Sequence, residues 1–243
     1  MSLSKRIIDW LRDWFPNNGR RTAVLGISGG KDSAVVAGLC KEALGGRQVF
    51  GVMMPNGTQK DISDSERVVQ ELGIRYGTAN IEKAYQAIVQ CVYDALGMGV
   101  SEGAAINIAP RIRMTILYAV AQTLSEREGA GACVVGTGNR AEAEVGYTTK
   151  SGDSACDVNP IRDLWVDEVI QAGDEMGYFP EIVHKRPDDG LCGKSDEEKL
   201  GFTYEEVKQL FIGGQVDELH AEKIRRCHEL SRHKREPIPY FQK

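Results

Sequence analysis

Hydrophobic and polar residues recur along the chain in two patterns, one typical of helices and one typical of short buried strands. Residues 3–15 place their apolar side chains on one helical face, and Pro16, followed by Asn-Asn-Gly, is expected to close that helix. Apolar runs of strand length follow at 22–27, 48–54, 74–79 and 132–136. Further helical patterns lie at 32–44, 62–72, 81–96, 110–124, 163–177, 203–212 and 215–231. The pattern at 110–124 should begin at Pro110, because helices accept proline in their first turn.

Strands and helices alternate through the first half of the chain. This order predicts parallel strands joined by right-handed crossovers, hence a doubly wound α/β sheet with helices on both faces. Ligands in such sheets bind beyond the carboxyl ends of the strands. Two long polar loops, at 138–160 and 185–201, are expected to act as lids or substrate loops. The length of 243 residues predicts a single domain, 1–243.

Composition excludes several classes of partner. The sequence has no run of roughly 20 apolar residues that would span a bilayer, and charged residues interrupt the first apolar pattern where a signal peptide would have none. The formal net charge of -5 argues against a nucleic-acid partner, which calls for a large basic surface. The six cysteines form no Cys-x-x-Cys pair, so they are expected to be reduced thiols. A cytoplasmic protein with small-molecule ligands is the resulting expectation.

A glycine-rich turn joins the first predicted strand to the next helix. Backbone N–H groups and a helix dipole converge on such a turn, which makes it an anion site, and glycine lets the backbone approach a phosphate closely. Ser28 and Ser33 offer hydroxyl groups, Lys31 offers a charge, and Asp32 is an oxygen ligand suited to magnesium. The alternative is a tight strand-to-helix turn with no ligand. The candidate ATP-binding residues here are Gly26, Ile27, Ser28, Gly29, Gly30, Lys31, Asp32 and Ser33.

The spacing within this turn separates it from two common nucleotide loops. It lacks the Gly-Lys-Ser/Thr end of the mononucleotide P-loop, and it does not fit the Gly-x-Gly-x-x-Gly fingerprint of dinucleotide sites. It resembles the Ser-Gly-Gly-x-Asp-Ser loop of the N-type ATP pyrophosphatases, enzymes that split ATP between the α- and β-phosphates to adenylate a substrate. The loop alone does not choose among the members of that superfamily.

Four further stretches are similar to those of the ammonia-dependent NAD synthetase family. In chain order they are NIAPRIRM at 107–114, VGTGNRAE at 135–142, GYTTKSGDSACD at 146–157 and DGLCGKSDE at 189–197. With the phosphate loop and MPNGTQ at 54–59, the resemblance runs through nearly the whole chain. It implies a fold of the adenine nucleotide alpha hydrolase type and a homodimer with the substrate site near the subunit interface. The helices at 81–96 and 110–124 are expected to form that interface or the core.

The resemblance also implies roles for single residues. Thr137 would contact ATP, and Asp32 and Glu142 would hold Mg²⁺. The residues that would bind deamido-NAD are Arg111, Lys150, Asp157, His233 and Lys234. The chemistry agrees, because the substrate carries a carboxylate and a pyrophosphate, and Arg111 and Lys150 supply local cations in an acidic protein. As alternatives, the arginines and the basic C-terminal stretch would be solvated helix charges, and Glu142 would be a carboxylate favoured by a helix N-terminus.

Two positions depart from the family pattern. Val166 stands where many members carry a lysine, and Asp188 stands where many carry a threonine, both attributed to ATP binding. Neither residue neutralises a phosphate, so compensation is expected from Lys185, Arg186 or Lys194.

The resemblance implies amidation of deamido-NAD to NAD. Its carboxylate would attack the α-phosphorus of ATP, and ammonia would displace AMP from the acyl-adenylate. With all 243 residues used by the synthetase pattern, no glutaminase domain is expected, so free ammonia is the expected nitrogen source. No catalytic base is identified. Two alternatives stay open at this point: another adenylating enzyme of the superfamily, such as a tRNA-thiolating enzyme, and a non-catalytic nucleotide-binding paralogue.

Overall fold

The computed structural model describes residues 1–58, 62–185 and 196–242. The strands are β1 (Arg20–Gly26), β2 (Val49–Met53), β3 (Arg75–Thr78) and β4 (Gly131–Val134). The helices are α1 (Leu3–Asn17), α2 (Lys31–Leu44), α3 (Ile62–Leu72), α4 (Glu82–Leu96), α5 (Glu102–Glu128), α6 (Arg140–Val145), α7 (Val166–Met176), α8 (Pro180–Val183), α9 (Asp196–Leu200), α10 (Tyr204–Ile212) and α11 (Glu218–Leu230). Short 3-10 turns occur at Gly46–Gln48 and Arg232–Lys234.

The four strands are all parallel and lie in the order β3-β2-β1-β4. β1 pairs with β2 on one side and with β4 on the other. The chain therefore proceeds from β1 outward to β3 and then returns past β1 to β4. The loops that follow β1 and β4 diverge at this reversal, which creates a crevice where ligands of such sheets bind.

Helices cover both faces of the sheet, as the sequence predicts. Along β1 the side chains alternate: Ala23 and Leu25 face the core beneath α1, α2, α3, α7 and α8, whereas Val24 faces the core beneath α4 and α5. Strands covered on both faces become continuous apolar runs, as β1 does from Ala23 to Leu25. The predicted doubly wound α/β fold is confirmed.

A third apolar cluster lies beside the sheet and joins the C-terminal helices to α6. Its buried members come from α6, α10 and α11 and from the segments before α7 and α10: Ala141, Val145, Trp165, Phe202, Tyr204, Val207 and Ile224. The cluster fixes α6 at the edge of the crevice, because α6 packs against both α10 and α11.

Of the two helix boundaries predicted at a proline, the end of α1 at Pro16-Asn17-Asn18-Gly19 is confirmed and the start of α5 at Pro110 is wrong. α1 runs through Pro16, and Asn18 closes it by donating its side-chain amide to the carbonyl of Trp14 at 2.8 Å. α5 begins at Glu102, so Pro110 lies inside it, and Ser101 caps the start. An interior proline costs a helix about 3 kcal/mol. Ile108 and Ile112, which flank Pro110 in α5, are buried in the core beneath α4 and α5, and this packing offsets the cost.

The polar loop predicted at 138–160 is partly helical, because α6 lies within it. The loop predicted at 185–201 falls largely outside the described residues, which resume with α9. In the described part of the chain, no helix combines the length and apolar character needed to cross a bilayer.

Candidate active site

The turn after β1 delivers the N-terminus of α2 to the crevice. Gly30 is the N-cap residue, and no side chain caps the helix there. Amide groups in the first turn lack partners within a helix, and the helix dipole adds positive potential at this end. Gly29 has a φ of +82°, in the left-handed region that favours glycine. Residues 27–30 therefore form a turn suited to an anion, at the carboxyl end of β1.

Two serine hydroxyls hold the shape of this turn. The Oγ atoms of Ser28 and Ser33 lie 3.0 Å apart, and the Ser28 hydroxyl accepts the amide of Gly30 at 3.2 Å. The buried Ser33 hydroxyl donates to the carbonyl of Gly30 at 3.0 Å. The hydroxyl of Ser33 is thus engaged within the turn, where it preorganises the backbone amides.

Lys31 and Asp32 place opposite charges at the start of α2. Lys31 is buried, with 6% of its side chain exposed, and its ammonium lies 3.2 Å from the carboxylate of Asp32. The other carboxylate oxygen of Asp32 lies 3.5 Å from the side-chain amide of Asn139. The loop after β1 and the loop after β4 therefore meet at Asp32.

The start of α6 places Glu142 beside this meeting point. Asn139 caps the helix by accepting the amide of Glu142 at 3.1 Å, and Glu142 accepts the amide of Asn139 at 2.9 Å in return. This reciprocal capping box explains why a helix of six residues forms here. Loss of hydration and then the negative charge of Asp32 raise the pKa of Glu142. The two carboxylates repel each other, and the charge of Lys31 partly opposes that effect.

Thr137 lies in the same crevice. It follows the carboxyl end of β4, next to the turn that follows β1, because β1 and β4 are neighbours. The side-chain amide of Asn159 donates to the carbonyl of Gly138 at 2.9 Å and so holds this loop.

A second group of predicted residues forms a connected basic cluster. Arg111 donates to the carbonyl of Lys150 at 3.4 Å, and the ammonium of Lys150 donates to the carbonyl of His233 at 2.7 Å. Lys234 donates to the carbonyls of Gly146 and Thr148, both at 2.7 Å. Burial lowers the pKa of Lys234. Four residues from three distant parts of the sequence thus lie within one neighbourhood.

Asp157 occupies a different place, at the edge of β4. Its carboxylate accepts the amide of Val134 at 2.8 Å and the hydroxyl of Tyr118 at 3.4 Å. Burial and then the charge of Asp157 raise the pKa of Tyr118 to about 12. In this structure the carboxylate of Asp157 therefore accepts hydrogen bonds at the edge of the sheet and not from the basic cluster.

Comparison with known proteins decides the family. A family model described as NAD synthase matches residues 3–239. The chain belongs to the NAD synthase family. It is accordingly a ligase that forms a C–N bond and uses ATP, and the resemblance of its motifs to this family is confirmed.

The relatives of this NAD synthase family member cover nearly its whole length. An NH(3)-dependent NAD(+) synthetase of Archaeoglobus fulgidus is 37% identical over 97% of this chain and 94% of the relative. Among solved structures, an NMN synthetase from Francisella tularensis is 31% identical with a TM-score of 0.88, over 98% of this chain and 96% of its own. An NH3-dependent NAD synthetase from Campylobacter jejuni is 25% identical with a TM-score of 0.79, over 98% and 97%.

Of the two departures from the family pattern, the structure describes one. Val166 opens α7 and packs, partly buried, against the third apolar cluster. It contributes packing at this position rather than a cation. Asp188, with Arg186 and Lys194, lies outside the described residues, whereas Lys185 pairs with Asp64 at 2.7 Å.

Sequence reasoning missed Tyr204, whose side chain enters the third cluster. Only 4% of the residue is exposed, and its hydroxyl finds no hydrogen-bond partner in the part of the chain that the structure describes. Burial and then the charge of Glu142 raise the pKa of Tyr204, with a smaller contribution from Asp32. An unpaired buried hydroxyl is costly to a fold. No sequence motif marked it.

Arg113, which belongs to the stretch NIAPRIRM at 107–114, reaches the crevice from α5. Its guanidinium donates to the carbonyl of Met54, just past β2, at 3.1 Å. Burial lowers the pKa of Arg113, and Asp153 partly opposes that effect. This arginine fixes α5 against the carboxyl end of the sheet, one turn from the proline that the helix carries in its interior.

Proposed function

We propose that this NAD synthase family member amidates deamido-NAD with ammonia and converts ATP to AMP and pyrophosphate. One observation carries the proposal: a single segment, 139–150, joins the phosphate turn to the basic cluster. Its start faces Asp32, and its end carries Lys150. A phosphate-binding turn next to a cluster of cations suits a reaction between ATP and a second anionic nucleotide.

The ATP half of the site is assigned to residues 26–33 and Thr137. The uncapped first turn of α2 binds phosphate oxygens through its amides, and the two serines keep that turn in shape before ligand arrives. Lys31 lies at the base of the turn, where its paired ammonium balances charge. Preorganised donors of this kind stabilise the negative charge that develops on the departing pyrophosphate.

Mg²⁺ is proposed as the metal, held by Asp32 and Glu142. The donor set fits, because magnesium prefers one or two carboxylates together with phosphate oxygens and waters. The repulsion that raises the pKa of Glu142 is relieved when a cation binds between the carboxylates. When bound, the metal supplies charge neutralisation at the phosphates, and the protein supplies its placement through the Asn139 cap.

The deamido-NAD half is assigned to Arg111, Lys150, His233 and Lys234; the family resemblance alone adds Asp157, which lies at the edge of β4. Arginine suits a carboxylate or phosphate because it donates in a planar fork. The side chains of Arg111 and Lys150 now rest on backbone carbonyls, which a ligand's anionic oxygens would replace as acceptors. Bringing the substrate carboxylate to the α-phosphorus of ATP removes much of the entropic barrier to adenylation.

The proposed assembly is a homodimer that forms through α4 and the start of α5. Large apolar side chains on this face are exposed: Ile88, Tyr93, Leu96, Met98 and Ile106. Of these, Ile88, Leu96 and Met98 line a groove of about 450 Å³, and Arg111 lies at its wall. Contiguous exposed apolar surface of this kind marks an interaction site. A second copy on this face would lie next to the proposed substrate cations.

A cytoplasmic location goes with the proposal, and the five described cysteines, all free of disulfides, support it.

The deciding experiment incubates the protein with ATP, Mg²⁺, ammonium and deamido-NAD and quantifies the products by mass spectrometry. Equal amounts of NAD and AMP are expected. Asp32→Ala should lower the rate by about 100-fold or more, because a charged group at the phosphates is lost. Asp13→Ala, on the exposed face of α1, is the matched control and should leave the rate unchanged. Formation of ADP, or no turnover by the unaltered protein, would overturn the proposal.

A second candidate is amidation of nicotinate mononucleotide to NMN. The observation that favours it is the TM-score of 0.88 to the Francisella tularensis NMN synthetase, above the 0.79 to the Campylobacter jejuni enzyme. The two substrates share the nicotinate and one phosphate and differ in the adenylyl group. Competition between equal concentrations of the two, read as the ratio of NMN to NAD formed, gives the ratio of the two kcat/KM values.

A further inference from the structure

Arg235 joins two elements near the basic cluster and is not one of the residues proposed to bind substrate. One nitrogen of its guanidinium, Nη1, donates to the carbonyls of Ala143 and Glu144 at 3.3 and 3.1 Å, in the last turn of α6. The same nitrogen donates to the hydroxyl of Ser231 at 2.8 Å, and Nη2 donates to the carbonyl of His228 at 2.6 Å. The planar fork thus ties the end of α6 to the end of α11.

The backbones of these two elements also approach closely. Gly146 closes α6 with a φ of +67°, and a Cβ atom there would lie 2.0 Å from the Cβ of Ser231. A side chain at position 146 is therefore excluded, and the turn at Ser231 packs directly against the end of α6. His228 adds a bond from its ring to the carbonyl of Glu144 at 2.9 Å.

One of the two elements is firmly held, and the other depends on it. α6 is fixed by its capping box and by Ala141 and Val145, which are buried in the third cluster. The 3-10 turn at Arg232–Lys234 contains no buried residue, and residues 236–242 after it are exposed. A 3-10 turn of three residues has little stability of its own. Its position therefore comes from its attachments to α6 and to the loop that follows α6.

The turn carries residues of the proposed substrate site. The ammonium of Lys150 rests on the carbonyl of His233, and Lys234 bonds the carbonyls of Gly146 and Thr148. Moving the turn would move His233 and Lys234. Lys150 would also lose the His233 carbonyl that accepts its hydrogen bond. Cations that recognise a phosphate must be held near their binding geometry for their charge to count.

We infer that Arg235 is a positioning residue that holds the C-terminal turn on α6 and thereby sets the deamido-NAD site. The inference rests on the proposed function, because it takes His233, Lys234 and Lys150 as the groups that bind that substrate. Arg235 acts through them: its four bonds all go to acceptors of the protein itself.

The test compares Arg235→Ala and Arg235→Lys with Arg232→Ala. Arg232 lies in the same turn with the same charge, but its side chain is 61% exposed and pairs with the exposed Glu236, one turn on. Dissociation constants for deamido-NAD and for ATP are measured separately by titration calorimetry, with folding checked by circular dichroism. Arg235→Ala should weaken deamido-NAD binding about ten-fold or more and change ATP binding by less than about three-fold. Arg232→Ala should change neither.

Arg235→Lys separates position from charge. Lysine keeps the positive charge but cannot bridge four acceptors with a planar fork. Weak deamido-NAD binding by the lysine variant supports the inference, and it decides the matter should the alanine variant fail to fold. Unaltered affinity in a folded Arg235 variant, or equal weakening for ATP, overturns the inference. Failure of the unaltered protein to bind deamido-NAD would instead overturn the proposed function.

Discussion

At the scale of single residues, the side chains that could be recognised from the sequence are those whose chemistry is tied to a local pattern. The phosphate turn is visible because glycines, serines and a carboxylate follow a strand directly. Glu142 could also be anticipated, because the spacing Asn-x-x-Glu from Asn139 is that of a capping box. Tyr204 could not, since its neighbourhood with Glu142 exists only after α10 packs on α6.

Replacing Tyr204 with phenylalanine is predicted to raise stability and lower activity. The hydroxyl is buried without a partner, so removing it should stabilise the fold by about 1 kcal/mol. If that hydroxyl serves the ATP site, kcat/KM for ATP should fall about ten-fold. Urea unfolding and initial rates at varied ATP measure the two effects.

Tyr76→Phe is the matched control, because Tyr76 is 49% exposed on β3. It should alter neither quantity. A Tyr204→Phe protein with full activity would show that the hydroxyl has no part in the ATP site.

At the scale of elements, the alternation of strands and helices was readable because each strand is a short apolar run between polar helical patterns. Boundaries were less readable where a local rule competes with packing, as at Pro110. α6 escaped notice because six residues are too few to show a period, and its stability comes from capping and from the third cluster. The C-terminal turn gave no sequence signal for the same reason.

The N-terminus of α1 is predicted to lose a stabilising contact in acid. The Glu175 carboxylate of α7 accepts the amides of Leu3 and Ser4 at 3.3 and 2.7 Å. Burial raises the pKa of Glu175, but the bonds from Ser4 and from Gln171 outweigh it and lower the pKa to about 2, from an ordinary 4.5. A lowered pKa means that the stabilisation is complete above pH 4.5 and is lost as the pH falls toward 2.

Glu175→Gln should therefore cost about 0.5 kcal/mol at pH 7, a small value because the carboxylate is solvent-exposed. The difference from the unaltered protein should shrink progressively below pH 4.5. Unfolding free energies at several pH values measure it, with Glu66→Gln on the exposed face of α3 as the control. A cost that stays constant down to pH 2.5 would exclude this linkage.

At the scale of the whole molecule, the doubly wound sheet and the family were both readable from the sequence, because motifs spread over the chain fix the order of strands and loops. Assembly was not readable, because apolar residues on α4 and α5 suit a core and an interface equally. The structure separates the two uses. Ile108 and Ile112 are buried on the inner face of α5, whereas Leu96 at the end of α4 and Ile106 in α5 are exposed.

A charge on that exposed face is predicted to dissociate the proposed dimer. Ile106→Lys should raise the dimer dissociation constant by about ten-fold or more, because an ammonium would lose hydration in an apolar contact. Light scattering after size exclusion, over a dilution series, measures it. Leu219→Lys, at a 61% exposed site on α11, is the control and should leave the dimer intact. A monomeric unaltered protein at micromolar concentration would refute the proposed assembly.

Free ammonia is predicted to be the nitrogen source. With ¹⁵N-amide glutamine as the sole nitrogen donor, the purified protein should form no labelled NAD, whereas ¹⁵N-ammonium should label the product fully. The basis is that the proposed function takes ammonia as its nitrogen donor, and that relatives covering nearly the whole chain are named NH(3)-dependent NAD(+) synthetases. Transfer of label from glutamine would contradict this.

The reciprocal cap between Asn139 and Glu142 has a consequence for how the protein fails. The same carboxylate caps a helix and is a ligand of the proposed metal site, so local opening of α6 would dismantle both at once. Short segments open at free energies well below that of global unfolding. Catalytic rate should therefore decline at urea concentrations where the circular dichroism signal is still native, which makes turnover the more sensitive gauge of local order.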